Sequence, residues 1–210
     1  MHGRGVQLPA VSLFTALVYD RFLSLGERRG MAAHRRALLA SARGRVLELG
    51  AGTGLNLAHY PAVAELVLTE PDAAMRGRLE RRLARSGRAA RVVTAGAEAL
   101  PFADGAFDTV VSTMVLCTVQ DLDVALAEVR RVLAPGGRLL LIEHVRADSP
   151  RLERWQDRLA GAWGAFAAGC RCNQPTVERL EAAGLRVELT PERWRGMPAL
   201  VGPLVVGTAS

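Results

Sequence analysis

The stretch VLELGAGTGLNLAHYP, Val46–Pro61, decides the fold. An apolar run ends there in three glycines at alternate positions, Gly50, Gly52 and Gly54, with Ala51 between the first two. A buried strand followed by such a turn is typical of a parallel sheet, which binds ligands at the carboxyl ends of its strands. Glycine lets the main chain approach a ligand that a Cβ would block. The stretch therefore predicts a ligand site at the tip of the first strand.

The spacing of these glycines bears on which ligand binds. A dinucleotide loop runs G-x-G-x-x-G, which would require glycine at position 55, and that position is Leu55. Glu48 stands two residues before the first glycine, and its carboxylate would repel a pyrophosphate. A carboxylate suits a ligand that carries a sulfonium cation. The pattern favours S-adenosylmethionine as cofactor, with an NAD-dependent oxidoreductase as the alternative enzyme class.

A second acid lies twenty residues after the first glycine, in LVLTEPD. Glu70 ends the second predicted strand, where an acid can accept hydrogen bonds from both ribose hydroxyls. It also fits the start of a turn before Pro71, with Asp72 capping the next helix. These two interpretations are compatible, and Glu70 and Pro71 are predicted to contact the cofactor.

Further cofactor contacts are expected in the neighbouring loops. The loop after the third strand is predicted to lie against adenine, and Asn56, at the start of a predicted helix ending at His59, is predicted to reach the cofactor carboxylate. Leu100 and Phe102 fit either core positions or adenine contacts. The additional predicted contacts are Gly96, Ala97, Glu98, Thr113 and Tyr19.

Strands and helices alternate along most of the chain, which predicts an α/β fold with a mostly parallel sheet and helices on both faces. The expected strands are 45–49, 65–69, 91–94, 109–113, 138–143, 185–190 and 199–208, and the expected helices are 10–25, 31–42, 150–168 and 175–183, with two more beginning after Asp72 and Asp121. Residues 1–43 are interpreted as N-terminal helices that form a lid on the same domain, and residues 44–210 as the cofactor-binding domain.

The 210 residues fit one domain, and the formal net charge of +6 comes with 27 basic residues that are all arginine. Six arginines between positions 76 and 88 follow helical spacing, which favours a solvated helix face over an RNA-binding stripe. Nucleic acid is therefore not an expected partner. A basic cofactor-binding or RNA-binding module without turnover is the non-enzyme alternative.

Cysteine usage indicates a reducing compartment, and we expect a cytoplasmic protein. Of the three cysteines, Cys170 and Cys172 are too closely spaced for a zinc pair and no histidine cluster accompanies them, so no metal site is predicted. Cys117 is interpreted as a small buried residue. No apolar run reaches the ~20 residues that span a bilayer, and the first helix is expected to be a lid or a weak peripheral membrane contact.

Several motifs together resemble the class I S-adenosylmethionine-dependent methyltransferases across residues 44–145: VLELGAGTG, LTEPD, GAEALPF, FDTVVSTMVLCTV and LAEVRRVLAPGGRLLLIEH. GTGLNLAHYP, VLCTVQD, EHVRA and RWQDRLAGAWGAFAAGC extend the resemblance to about residue 183, toward the group that contains the alkyl-thiol S-methyltransferases. The resemblance implies a Rossmann-like, seven-stranded sheet with a reversed last strand. The chain departs from it at Gly96, where broader relatives have Asp, and at Arg171 and Gln174.

The resemblance implies methyl transfer by in-line displacement to a small, largely apolar acceptor. A thiol is the first choice on the resemblance alone, and O- or C-methylation of a quinone, lipid or secondary metabolite is the alternative. A thiol, with a free pKa of ~8.5, needs little help from a base. His144 fits either a general base or a structural histidine, and Trp155, Trp163 and Phe166 fit either core or an acceptor pocket. The oligomeric state is left open.

Overall fold

The computed structural model describes residues 21, 23–167 and 169–210, so the predicted contact Tyr19 lies outside the described residues. The described chain opens with helical residues 23–26, a π-helical turn Glu27–Met31 and helix α1, Ala32–Leu39. Gly30 interrupts the helical path with φ 139°. The second predicted helix, 31–42, is thus confirmed in a shorter form.

The sheet has seven strands: β1 Arg45–Leu49, β2 Glu65–Thr69, β3 Arg91–Val93, β4 Phe107–Thr113, β5 Leu133–His144, β6 Val187–Arg193 and β7 Pro203–Ala209. Their order is β3-β2-β1-β4-β5-β7-β6. Strands β1 to β5 pair in parallel, whereas β7 runs antiparallel to both β5 and β6. The predicted mostly parallel sheet with a reversed last strand is confirmed.

Four further helices connect the strands: α2 Ala73–Ser86, α3 Leu122–Val132, α4 Pro150–Phe166 and α5 Thr176–Ala182. The Asp72 side chain accepts hydrogen bonds from two main-chain N–H groups at the start of α2, and Asp121 does the same at the start of α3. Both caps satisfy donors that have no partner inside the helix. The two predicted helix starts are confirmed.

Both faces of the sheet are covered, as the alternation along β5 shows. Leu139 and Leu141 belong to the cluster that includes α3 and α5, whereas Leu140 and Ile142 belong to the cluster that includes α1 and α2. Successive side chains of a strand point to opposite faces, and these four are fully buried. The core thus lies in two layers, and the carboxyl ends of β1, β2, β4 and β5 reach one common edge.

The segment after β1 differs from the prediction, because residues 52–59 form successive turns and not a helix that begins at Asn56. Gly54 N donates to Ala51 O at 2.9 Å, and His59 N donates to Asn56 O at 2.9 Å. Gly50, Gly52 and Gly54 all have positive φ, which a right-handed helix cannot include. The conformation of these three glycines therefore prevents a helix from forming directly after β1.

The apolar stripe of α4 is another difference. Trp155 is 50% exposed and Phe166 64% exposed, so these side chains are not core. The buried residue of this helix is Gln156, whose amide donates to the carbonyls of Val145, Cys172 and Leu200 and accepts from Ala147 N. Irregular main chain under α4 needs these partners, which explains why a polar side chain faces inward. None of the helices in the described ranges is long and apolar enough to cross a membrane.

Candidate functional site

The glycine loop lies at the carboxyl end of β1, and its three glycines have different surroundings. A Cβ on Gly50 would lie 2.9 Å from Val115 Cγ2, and one on Gly54 would lie 2.8 Å from Leu79 Cδ1. At Gly52 the nearest atom would be the Gly50 carbonyl oxygen, at 3.9 Å. Close packing within the protein is thus a second reason for glycine at two of these positions, beside the predicted approach to a ligand. Gly50 and Gly54 permit close packing, and Gly52 faces the open space.

Glu70 joins the glycine loop to the end of β2. Its Oε2 accepts a hydrogen bond from Gly52 N at 2.8 Å, and its Oε1 accepts one from Asp72 N at 2.9 Å. Burial raises the pKa of this carboxyl above its ordinary value, against the effect of the two main-chain donors. A carboxylate oxygen can accept more than one hydrogen bond, so Glu70 can also accept one from a ribose hydroxyl. The structure thus places Glu70 beside the open position, while Pro71 lies exposed next to it.

Glu48 is also buried, but its partners are side chains. Its Oε1 accepts from Asn56 Nδ2 at 2.9 Å, and its Oε2 accepts from the Tyr60 hydroxyl at 2.8 Å. Burial raises the pKa of Glu48 to about 7, since desolvation outweighs these hydrogen bonds and the nearby Arg35. The carboxylate is therefore tied into the loop that follows β1, where its charge contributes to the local field.

Arg35 is a residue of this network that the sequence reasoning missed. The side chain comes from α1, is 4% exposed and forms an ion pair with Glu27 at 3.1 Å. Its Nη1 donates to Asn56 Oδ1 at 2.8 Å and to Thr113 Oγ1 at 3.1 Å. Its spacing from Met31 and Leu39, i and i+4, places it on the buried face of α1, and this signal could have identified it.

Asn56 and Thr113, each predicted to contact the cofactor, contact one another. Asn56 Nδ2 donates to Thr113 Oγ1 at 2.9 Å and also to Glu48, while its Oδ1 accepts from Arg35. The amide of Asn56 is thus fully engaged inside the protein. This geometry favours a role in holding the loop over direct contact with the carboxylate of a ligand.

Arginines of α2 and the turn after it hold the same loops from the outside. Arg82 Nη1 donates to Thr53 O at 2.8 Å, and Arg76 Nη1 donates to Glu70 O at 3.1 Å. Arg88 donates to the carbonyls of Tyr60 and Pro61. The prediction of a solvated face is correct only in part, because these three guanidinium groups bind main-chain oxygens around the site.

The loop after β3 carries the expected adenine-side residues. Ala97 is buried, and Glu98 Oε1 accepts from Gln120 N at 2.7 Å. A Cβ on Gly96 would approach Glu98 Oε2 to 3.3 Å, so Gly96 gives this side chain room. Leu100 is a core residue, and the ring of Phe102 meets the edge of Phe107 at 5.0 Å. Of the two interpretations left open for Leu100 and Phe102, the core position agrees with the structure.

Glu143, near the carboxyl end of β5, is fully buried and accepts hydrogen bonds from the loop after β4. It accepts hydrogen bonds from the Ser112 hydroxyl at 2.6 Å and from the main-chain N–H groups of Val115, Leu116 and Cys117 at 2.9, 3.1 and 3.3 Å. Burial raises the pKa of its carboxyl. The carboxylate fixes the start of the segment that contains Cys117.

His144 lies beside two sulfur atoms. Its Nδ1 is 3.5 Å from Cys117 Sγ and 3.5 Å from Cys170 Sγ, and its ring is 4% exposed. The hydrogen bond between the two thiol groups, with His144 adding to the effect, lowers the pKa of Cys170, whereas the same hydrogen bond and burial raise the pKa of Cys117. This buried setting favours a structural or ligand role for His144 over that of a solvent-connected base.

Beyond the end of β5 lies an open cleft of about 620 Å³. Gln174, one of the positions where the chain departs from the resemblance, lines it together with Arg146, Glu178 and Arg193. Apolar residues such as Leu152, Val177 and Leu204 line the same cleft, so its lining is mixed in character. Arg171, another such position, donates its main-chain N–H to Cys117 O at 2.7 Å, so this segment packs against the loop after β4.

Comparison with known proteins agrees with the fold and the loop geometry. Residues 47–141 match the family described as "Methyltransferase domain". The chain is 34% identical over 177 residues to the human thiol S-methyltransferase TMT1B, covering 81% of this chain and 72% of that protein. It is 38% identical over 130 residues to the demethylmenaquinone methyltransferase of Thermus thermophilus, covering 59% of this chain and 58% of that protein.

Solved structures show the same architecture. A SAM-dependent methyltransferase of Thermotoga maritima superposes with a TM-score of 0.67 at 20% identity, covering 94% of each chain. One from Leishmania major gives 0.66 at 17% identity, covering 97% of this chain and 79% of that one. At such identities the likeness concerns the fold.

The chain belongs to the S-adenosylmethionine-dependent methyltransferases, and within them to the family that contains the thiol S-methyltransferases. Its cofactor is S-adenosylmethionine, in agreement with the prediction from Glu48 and the glycine spacing. The structure fits that molecule at two points: the open face of Gly52 and the Glu70 carboxylate bonded to the same residue. An NAD-dependent oxidoreductase is excluded as the family of this chain.

Proposed function

We propose that this protein methylates the sulfur of a small, largely apolar thiol. The observation that carries the proposal is the match to the human thiol S-methyltransferase TMT1B, which spans 81% of this chain and so extends well beyond the cofactor-binding half. The match to the demethylmenaquinone methyltransferase covers 59% of this chain. Sulfur is therefore favoured over the carbon of a quinone ring, which is the second candidate.

S-adenosylmethionine supplies an activated methyl group on a sulfonium sulfur when bound. The task of the protein is then mainly to hold that group and the acceptor in line, and such positioning can be worth about 7–11 kcal/mol. We assign ribose binding to Glu70, and we propose that the main chain of Gly52 lies against the cofactor. The two residues are joined by a hydrogen bond, and the space beside Gly52 is open. We assign the adenine side to Gly96, Ala97 and Glu98 after β3.

The rest of the site acts by fixing this loop. Arg35 links α1 to Asn56 and Thr113, so the N-terminal helical segment is part of the donor side of the molecule. Glu48 and Tyr60 hold the opposite end of the same turn. We propose that residues 1–43 act as a cover on the single methyltransferase domain, with Arg35 as their anchor.

The test is a labelled-methyl assay with the purified protein and acceptors matched for size and apolarity: an alkyl thiol, the corresponding alcohol, the corresponding amine and a short-chain menaquinol precursor. We expect label transfer to the thiol at a rate at least about tenfold above the others, since a thiol with a free pKa of ~8.5 needs little activation. Transfer to the quinol ring and not to the thiol would support the second candidate. Labelling of the thiol no faster than the alcohol would contradict the proposal.

A further inference from the structure

Three buried groups that can bind a metal meet at the end of β5. Cys117 follows β4, His144 ends β5, and Cys170 follows α4. Their ligand atoms lie within 4.8 Å of one another, and all three residues are buried. Sequence spacing predicts no metal site, because Cys170 and Cys172 are only two positions apart and no histidine cluster lies near them in the sequence. The fold instead joins Cys170 to residues 53 and 26 positions earlier in the chain.

The distances match the edges of a zinc coordination tetrahedron. With Zn–S bonds of about 2.3 Å and Zn–N bonds of about 2.0–2.1 Å, tetrahedral angles place two sulfurs about 3.8 Å apart and a sulfur and a nitrogen about 3.5 Å apart. The observed Sγ–Sγ distance is 3.7 Å, and both sulfur–Nδ1 distances are 3.5 Å. All three edges of this face therefore have the required length at once.

Other arrangements explain the trio less well. A disulfide needs its sulfurs about 2.05 Å apart, and here they are 3.7 Å apart. A neutral imidazole has either one proton or one lone pair on Nδ1, so Nδ1 can form a full hydrogen bond with only one of the two sulfurs. Nevertheless it is equally close to both. A cation in front of Nδ1 accounts for this symmetry.

Charge and burial also agree with a divalent cation. Two thiolates and one neutral imidazole balance the two positive charges of zinc, so the complex is neutral in a buried setting where an unpaired charge would be costly. Thiolate and imidazole together select zinc among the common metals. Glu143 holds the main-chain N–H of Cys117, which gives the first ligand a fixed orientation.

We propose that Cys117, His144 and Cys170 bind one zinc ion through Sγ, Nδ1 and Sγ. Three protein ligands leave the fourth position to water or a small exogenous ligand. The ion would fasten the loop after β4, the end of β5 and the segment after α4 to each other. This inference is independent of the proposed acceptor, because metal binding is measured without any acceptor present.

The test begins with protein purified without a metal-affinity resin, whose zinc content is measured by mass spectrometry. We expect about one zinc per chain. The metal is then replaced by Co²⁺, which gives a near-ultraviolet thiolate-to-cobalt band and strong visible bands when it is bound tetrahedrally by thiolates. This spectrum reports on the folded wild-type chain, so a variant that fails to fold does not decide the result.

Variants identify the ligands. Cys170→Ser should lose the thiolate band and bind less than about a tenth of the wild-type zinc, whereas Cys172→Ser, a buried cysteine two residues away, should keep both. Circular dichroism before and after chelation checks that each variant is folded. Equal metal loss from both variants would overturn the assignment.

Two other results would overturn the proposal. One is a folded wild-type chain that shows no thiolate-to-cobalt band while a thiol titration in denaturant finds all three cysteines free. The other is a titration that finds only one free thiol, which indicates a disulfide in place of the metal site. Methyl transfer by the same preparations is assayed separately, so failure of the metal site and failure of the proposed thiol activity are distinguishable.

Discussion

Glu48 at the end of β1 and Glu143 at the end of β5 are buried carboxylates on the same edge of the sheet, and burial raises the pKa of both. Their partners differ in kind. Glu48 accepts hydrogen bonds from the side chains of Asn56 and Tyr60. Glu143 accepts three of its four hydrogen bonds from main-chain N–H groups of one loop. Glu48 therefore belongs to a network of side chains. Glu143 instead accepts hydrogen bonds from main-chain N–H groups that would otherwise need the acceptors of a helix or a strand.

This difference suggests a division of tasks along the edge. Main-chain donors without a partner are costly when buried, so the loop after β4 depends on Glu143 for its shape. Around Glu48 the same edge is held by hydrogen bonds between side chains. The amide of Asn56 accepts one from Arg35 and donates one to Thr113. We therefore expect changes at β5 to affect stability, and changes at β1 and β2 to affect cofactor affinity and its pH dependence.

The largest effect is expected from Glu143→Ala. Three main-chain N–H groups and the Ser112 hydroxyl lose their acceptor in a site that water does not reach, and the free energy of unfolding should fall by about 3–4 kcal/mol. Urea unfolding followed by circular dichroism measures it. Glu80→Gln, on the exposed face of α2, is the control and should change stability by less than about 0.5 kcal/mol. A loss at Glu143 as small as that of the control would show that the loop does not depend on it.

A smaller effect, on binding and not on stability, is expected from Glu70→Gln. The variant loses the charge that would accept the ribose hydroxyls, and its amide meets the N–H of Gly52 or Asp72. S-adenosylmethionine affinity, measured by calorimetry, should fall about 10–30-fold, which corresponds to the loss of one charged hydrogen bond. Glu65→Gln, at the opposite end of β2, should bind like the wild type. Equal affinities for both variants would remove Glu70 from the site.

Local signals were sufficient for the frame of the molecule and for part of the site. The strand VLEL and the capping residues Asp72 and Asp121 are predicted correctly, because each depends on neighbours a few residues away. The role of Glu70 in binding the ribose stays a prediction. The sequence does not reveal Arg35, the hydrogen bonds that Glu143 accepts from the loop after β4, or the proximity of Cys117 to Cys170. Each of these depends on contacts between residues far apart in the chain, such as the 53 positions between the two cysteines.

The apolar stripe on α4 shows the converse case, in which a local pattern favours burial that the fold does not provide. Helical spacing of Trp155, Leu159 and Phe166 is typical of a buried face, yet these side chains are exposed and Gln156 is inside. The carbonyls of Val145, Cys172 and Leu200 lie beneath the helix and require a donor. Gln156 is buried because these carbonyls need a hydrogen-bond donor. The spacing of apolar residues along the helix carries no information about that need.

The smallest expected effect is a pH dependence of S-adenosylmethionine affinity, which we expect from Glu48 and not from Glu143. Burial raises the pKa of Glu48 from its ordinary value of 4.5 to about 7. The ionised form should favour a sulfonium cation, so the dissociation constant for S-adenosylmethionine should rise by up to about tenfold from pH 8 to pH 6, while Glu48→Gln should show no such rise. Calorimetric titrations of both proteins at each pH measure the difference, which isolates Glu48 from His59 and other groups that titrate nearby.

Stability should change with pH in the opposite sense, and this makes the assignment to Glu48 testable twice. A carboxyl whose pKa is higher in the folded state binds more protons there, so its contribution is fully present below about pH 4.5 and is lost as the pH rises through about 7. The free energy of unfolding of the wild type should thus fall relative to Glu48→Gln over that window while its cofactor affinity increases. If affinity and stability changed in the same direction, the proton would belong to another group, and Glu48 would act on the loop through Asn56 and Tyr60 alone.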